Sequence, residues 1–200
     1  VIDALLITAK SIEGKGFSDK LSNQLTFLGD KNRKMILVTG HRRENFGSGF
    51  KKICEALFEI SKNKEVFVVY PVHLNPSVQK IVYDKLGNSK NILLLEPLGY
   101  PEFVWLLNKC YLVLTDSGGI QEEAPSFNKP VLVMRDNTER PEAINAGVAK
   151  LVGTNPEIIV KNVLNLLNNR EYLKMINKTN PFGDGFSSNR IINKILNFEN

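Results

Sequence analysis

Tyr111 to Pro125 reads YLVLTDSGGIQEEAP, and it decides the fold class. Leu112, Val113, Leu114 and Thr115 form a short apolar, β-branched run of the kind that makes a buried strand. Asp116-Ser117-Gly118-Gly119 is a turn, and Ile120 to Ala124 has the start of a helix. Strand, glycine turn and helix therefore follow one another within fifteen residues. The first N–H groups of such a helix have no intrahelical partner, so the junction can hold a phosphate. Ser117 can cap the helix or donate its hydroxyl, and Gly118 and Gly119 let a ligand approach the backbone. The same residues also read as an ordinary strand-to-helix turn with a serine cap, since they match no complete phosphate-loop pattern.

The pattern repeats outward from this segment. Met35 to Gly40 (MILVTG), Val66 to Val72, Ile92 to Leu95, Val131 to Met134 and Lys150 to Val152 are further strand candidates. Between them, Phe50 to Ile60 carries Phe50, Ile53, Leu57 and Ile60 at helical spacing. Asn75-Pro76 supplies a cap and first-turn proline for a helix through Leu86 that Gly87 stops, and Pro101 to Lys109 opens in the same way. Strands apolar on both faces that alternate with helices predict a doubly wound, Rossmann-like α/β domain with a parallel sheet. Val1 to Lys10 sets Ile2, Leu5, Leu6 and Ala9 on one face of a docking helix, and Gly14 to Lys20 breaks that pattern. Pro156 to Leu167 is a further helix. After a turn at Asn180 to Gly185, a last helix carries Ile191, Ile192, Ile195 and Leu196.

Composition narrows the class. The 200 residues are 42% hydrophobic and 24% charged, enough for one substantial core. The net charge of +5 comes from scattered lysines set against 21 acidic residues, without the basic stripe that nucleic acid requires. Apolar runs stop at four or five residues, and no basic segment leads into an apolar core at the start. The chain is therefore expected to avoid membranes and to be cytoplasmic. Cys54 and Cys110 have no CxxC spacing and read as buried thiols. No His, Cys, Asp or Glu spacing suggests a metal site, and no cofactor is implied. A start at Val1, on an already amphipathic segment, reads as part of a longer chain.

In open parallel sheets, ligands bind beyond the carboxyl ends of the strands. The polar residues concentrate there: His41-Arg42-Arg43-Glu44-Asn45 after the first strand, His73 after the second, the glycine turn after the fourth, and Arg135-Asp136 with Glu139-Arg140 after the fifth. Each histidine alone reads more readily as a cap or a satisfied structural residue than as a functional one. Together with the arginines they predict an anion site suited to a diphosphate. Glu122 and Glu123, one turn into the helix, are either solvated charges or a partner for ribose hydroxyls. Phe103 and Trp105 are core by default, with Phe103 able to face a base. GxGxxG after the first strand and GxxxxGK[ST] are both absent, which argues against dinucleotide and P-loop functions, and Ser117 lacks the GxSxG setting of a nucleophile.

Four blocks, TGHRRENFG (Thr39 to Gly47), YPVHLNP (Tyr70 to Pro76), TDSGGIQEEAP (Thr115 to Pro125) and KPVLVMRDNTERPEA (Lys129 to Ala143), resemble the non-hydrolysing bacterial UDP-N-acetylglucosamine 2-epimerases; NPFGDGFSSNRI (Asn180 to Ile191) is similar to that family's closing segment. The resemblance implies the C-terminal half of a two-domain glycosyltransferase-B architecture, one UDP-binding domain over residues 1–200 whose segment 187–198 packs toward an N-terminal domain. It implies UDP-N-acetylglucosamine and UDP as ligands and a homodimer at full length. By the same resemblance, Ser117 and Gly118 hold the diphosphate, with Gly119 and Arg135 among the UDP contacts. Glu123 holds the ribose, Phe103 flanks the uracil, and His41 is the catalytic-site residue. Arg42 and His73 match positions that touch a second UDP-N-acetylglucosamine in allosteric members. The family inverts C2 by eliminating UDP to a glycal and adding it back, and its proton-transfer carboxylates belong to the N-terminal half. The chain alone is then expected to bind UDP weakly and not to epimerise. A hydrolysing epimerase, the nucleotide-sugar half of a glycosyltransferase, and a non-catalytic UDP-sugar binding module are the alternatives.

Overall fold

The apolar runs become the strands of one sheet. The computed structural model describes residues 1–13, 25, 30 and 33–198. The expected break at Gly14 to Lys20 lies outside the described residues. In chain order the elements are α1 (Ile2–Ile12), β1 (Lys34–Thr39), α2 (Ser48–Ser61), β2 (Val66–Pro71), α3 (Pro76–Leu86), β3 (Ile92–Leu95), α4 (Tyr100–Lys109), β4 (Leu112–Thr115) and α5 (Gly118–Glu123). They continue with β5 (Val131–Val133), α6 (Pro141–Asn145), β6 (Ala149–Leu151), α7 (Pro156–Leu167), α8 (Asn169–Ile176) and α9 (Ser187–Leu196), and short 3-10 turns occupy Arg43–Asn45 and Ala124–Phe127.

The six strands are ordered β3-β2-β1-β4-β5-β6 and every neighbouring pair is parallel. This is the Rossmann-like arrangement, and its central strands are apolar on both faces because both are covered, while the edge strand β6 exposes Lys150. Ile36, Val38, Val68, Leu112 and Leu114 pack on one side against Phe50, Ile53 and Leu57 of α2, Val78 and Val82 of α3, and Ile159 and Val163 of α7. Met35, Leu37, Val69, Val113 and Val131 pack on the other against Ile2 and Leu5 of α1, Val104 and Leu107 of α4, and Ile120 of α5. Consecutive strand residues thus serve opposite layers.

Local signals set the helix ends. Asn75 caps α3 by accepting from the Ser77 N–H at 2.9 Å. Asn155 caps α7 by accepting from Glu157 N–H at 2.9 Å and Ile158 N–H at 3.2 Å. At the end of β1, a Cβ on Gly40 would stand 3.0 Å from the Tyr70 hydroxyl and 3.2 Å from Phe50, so a glycine lets the chain turn tightly over β2 toward His41. Cys54 and Cys110 are free and buried, as expected, and burial pushes both thiols up to about 12.

Two helices escape the periodicity argument. α6 is a five-residue helix opening at Pro141, directly after the rim charges Glu139-Arg140. α8 buries no residue and is held through Tyr172, whose ring stacks on Tyr111 with centroids 4.1 Å apart. The closing segment folds back over the domain: Asn180 Nδ2 donates to Glu122 O at 2.9 Å and to Ser126 Oγ at 2.7 Å. Gly185 (φ +85°) lies against Leu6, which a Cβ would meet at 2.5 Å, and Asp3 accepts from the Ser188 N–H at 2.7 Å. Among the described residues no helix is long and apolar enough to cross a membrane.

Candidate anion site at the switch point

β1 and β4 lie side by side, with Thr39 opposite Thr115. Their hydroxyls are 2.6 Å apart. Past them the chain from β1 leads to α2 on one face of the sheet, while that from β4 leads to α5 on the other. Their divergence opens the crevice at which α/β sheets bind ligands.

Asp116 forms the floor of this crevice and has no exposed surface. Its carboxylate accepts from the His41 N–H with both oxygens at 3.1 Å, from the Arg42 N–H at 2.9 Å and from Asn45 Nδ2 at 3.2 Å. Asn45 Nδ2 also donates to Met134 O at 3.2 Å. These bonds tie the loop after β1 to the glycine turn and to the end of β5, and they supply the partners a buried carboxylate needs. Gln121, also fully buried, is a second tie: its Nε2 donates to Ser117 O at 3.1 Å and its Oε1 accepts from Thr138 at 2.6 Å. The sequence reading named neither as a site residue. Asp in a turn reads as turn chemistry, and only the adjacency of β1 and β4 makes Asp116 a clasp.

The glycine turn emerges between two arginines. A Cβ placed on Gly118 would lie 3.6 Å from Arg42 Nη2 and 3.8 Å from the Arg140 guanidinium. Gly119 is exposed, with open space around it. Ser117 sits at the helix cap but makes no side-chain capping bond; its N–H donates to Thr115 Oγ1 at 2.9 Å. The hydroxyl is therefore not committed to the helix. Arg140 pairs with Glu122, Arg42 Nη1 stands 3.5 Å from Glu139, and Arg42 Nε is buried without a partner. Two oriented guanidiniums over a glycine backbone form a cradle for an anion.

The remaining expected residues divide into groups. His41 and His73 come together, their rings stacked with centroids 5.6 Å apart. Glu123 is buried and accepts from the Tyr100 hydroxyl at 2.8 Å. Burial raises the Glu123 carboxyl above its ordinary value and, with Glu123 beside it, raises the Tyr100 phenol as well. Phe103 is half-buried on α4, about one turn beyond Tyr100, and packs at the edge of the second core layer. Tyr100, which the sequence reading passed over, thus marks the Glu123 side of the site. Arg135 is directed into the protein: Nε meets Glu44 at 2.5 Å and Nη1 meets Glu139 at 2.5 Å, with the side chain 7% exposed. That pairing holds the Glu139 carboxyl down at about 2.

Residues 1–196 match the family described as UDP-N-acetylglucosamine 2-epimerase. A UDP-N-acetylglucosamine 2-epimerase of Salmonella typhimurium is 52% identical over 201 residues, covering 99% of this chain and 53% of the relative. Among solved structures, the Neisseria meningitidis UDP-GlcNAc 2-epimerase bound to UDP-GlcNAc superposes with a TM-score of 0.90 at 43% identity, covering 98% of this chain and 53% of that one. The Methanocaldococcus jannaschii enzyme in complex with UDP-GlcNAc and UDP does so at 0.78 and 37%, covering 98% and 52%. The chain spans about half the length of the curated relatives it matches.

Proposed function

The chain belongs to the UDP-N-acetylglucosamine 2-epimerase family, and from that premise we propose that it is the UDP-binding, C-terminal half of a non-hydrolysing epimerase of glycosyltransferase-B architecture. The observation that carries the proposal is the convergence of Arg42 and Arg140 on Gly118 at the switch point of the sheet. A diphosphate leaving group needs such a site, because breaking the bond to the sugar builds negative charge on the departing oxygen.

In this reading Ser117, Gly118 and Gly119 hold the diphosphate, Glu123 takes the ribose hydroxyls and Phe103 flanks the uracil. The support is a free Ser117 hydroxyl, the open space at Gly119, and a buried Glu123 with Tyr100 beside it. His41 faces the sugar, with Arg42 and His73 available to a second UDP-sugar. Arg135, occupied by Glu44 and Glu139, braces the β5 loop that carries Arg140. Elimination of UDP and its re-addition would invert C2, with the proton-transfer carboxylates supplied by the other half. The exposed apolar face of α9 is then the surface that packs toward that half. By itself this chain binds UDP and does not epimerise.

The test on intact protein is incubation with UDP-N-acetylglucosamine in heavy water. Deuterium at C2 with UDP retained on the product is the expected result; stoichiometric free N-acetylmannosamine would assign the chain to the hydrolysing class, and neither outcome would remove both. For the site, calorimetric titration of a Ser117→Ala, Glu123→Ala double variant is expected to show UDP affinity weaker by roughly 100-fold or more, the loss of two hydrogen bonds that each involve a charged group. Unchanged affinity would refute the assignment.

A further inference from the structure

The two stacked histidines have different surroundings at Nδ1. His41 Nδ1 stands 3.5 Å from Asp116 Oδ1, and Asp116 has no exposed surface through which water could screen it. A lone pair on Nδ1 would face the lone pairs of a carboxylate, whereas a proton there is attracted to it. His73 Nδ1 instead accepts the Asn75 N–H at 3.1 Å. That bond requires a lone pair on Nδ1 and puts the proton of neutral His73 on Nε2.

We infer that Asp116 is a positioning residue acting through His41, and that the rim holds its two histidines in opposite tautomers: His41 with Nδ1–H and a free Nε2 lone pair, His73 with an Nε2–H. The pair, stacked with centroids 5.6 Å apart, offers a ligand one acceptor and one donor side by side. Resting on the epimerase reading, this makes His41 Nε2 a hydrogen-bond acceptor for an O–H or N–H of the bound sugar nucleotide, and His73 Nε2–H a donor to an oxygen of a ligand. Asp116 has a second task that the tautomer argument explains: the oxygen facing Nδ1 also accepts the His41 N–H. Backbone and ring of one residue are thus oriented by one carboxylate, as second-sphere carboxylates orient imidazoles elsewhere.

Asp116→Asn separates charge from shape. Its remaining oxygen is needed where Arg42 N–H and Asn45 Nδ2 both donate, at Oδ2. Its amide nitrogen then faces His41 Nδ1 and donates to it, which moves the ring proton to Nε2. The experiment is long-range 15N-correlated NMR of the histidine rings in the intact protein at pH about 8, above the ordinary histidine range. The expected spectrum has His41 as the Nδ1–H form and His73 as the Nε2–H form, with His41 alone switching in Asp116→Asn. An Nε2–H form of His41 in the unaltered protein overturns the inference, and so does an unswitched His41 in a folded variant. Should the variant fail to fold, the unaltered spectrum still decides. These spectra need no substrate, so they stand apart from the epimerase assay. In that assay kcat of the folded variant is expected to fall on the order of 100-fold with KM within about twofold; unchanged kcat with a switched tautomer would remove the positioning role.

Discussion

α7 and α9 read alike in sequence and end differently in the structure. Both carry apolar residues at helical spacing. In α7, Ile159 and Val163 are fully buried and Leu166 nearly so, against α2 and the sheet. In α9, Ile191, Ile192, Ile195 and Leu196 remain 53–59% exposed, with Phe186 and Phe198 beside them. An amphipathic stripe states that a partner surface exists and says nothing about which surface it is. The attachments differ too. Asn155, an amide without a titrating proton, caps α7, whereas the approach to α9 is tied by carboxylates: Asp184 to Arg190 and to the Phe186 N–H, and Asp3 to the Ser188 N–H.

The largest effect expected from this contrast is at Ile159→Ala, which opens a cavity between α7 and the sheet and should lower unfolding stability by roughly 2–5 kcal/mol in urea titration. A loss under 1 kcal/mol would mean that α7 is not a structural part of this core. The matching change in α9, Ile191→Ser with Ile195→Ser, should move the stability of this chain by less than about 0.5 kcal/mol, as exposed substitutions do. A large loss would show that α9 is already packed in solution, and the comparison would fail. The smallest effect concerns acid. The folded-state values of Asp184 and Asp3 lie below their ordinary value, lowered chiefly by the Arg190 side chain and by the Ser188 N–H respectively. Their stabilising contribution is therefore complete above the unfolded carboxylate pKa and is lost as pH falls through the lowered folded values. Amide exchange should show α9 loosening at acid pH while the Asn155-capped start of α7 keeps its protection. Simultaneous loss of both would deny the difference in attachment.

The sheet was legible because each strand announces itself within three to six consecutive residues. Apolar runs bounded by Gly, Pro and Asn placed all six strands, with ends moved by one residue at most sites: Val66 to Val72 was expected and Val66–Pro71 is found. α3 was legible from its Asn75-Pro76 start, and α7 from apolar residues at helical spacing. α8 was not, since NREYLKMI buries no residue fully and is held by the Tyr172 ring on Tyr111 and by half-buried Met175 against the core. At the site, the rim and its glycine turn followed from the rule that ligands sit beyond the strand ends. Arg140 was seen only as one of several rim charges; its place over Gly118 depends on Glu122, from another element, holding it there.

The sequence by itself determined the class of fold, the order of its elements and the rim where polar residues gather, because hydrophobic periodicity and turn chemistry are local and each is written within a few neighbouring residues. The tertiary structure decided which of those polar residues meet. Asp116 clasps His41 across 75 positions of chain, Arg135 is given to Glu44 across 91, and His41 stacks on His73. Such pairings depend on strand adjacency and on burial, which strengthens a charge contact and makes an unmet one costly. No local pattern records them.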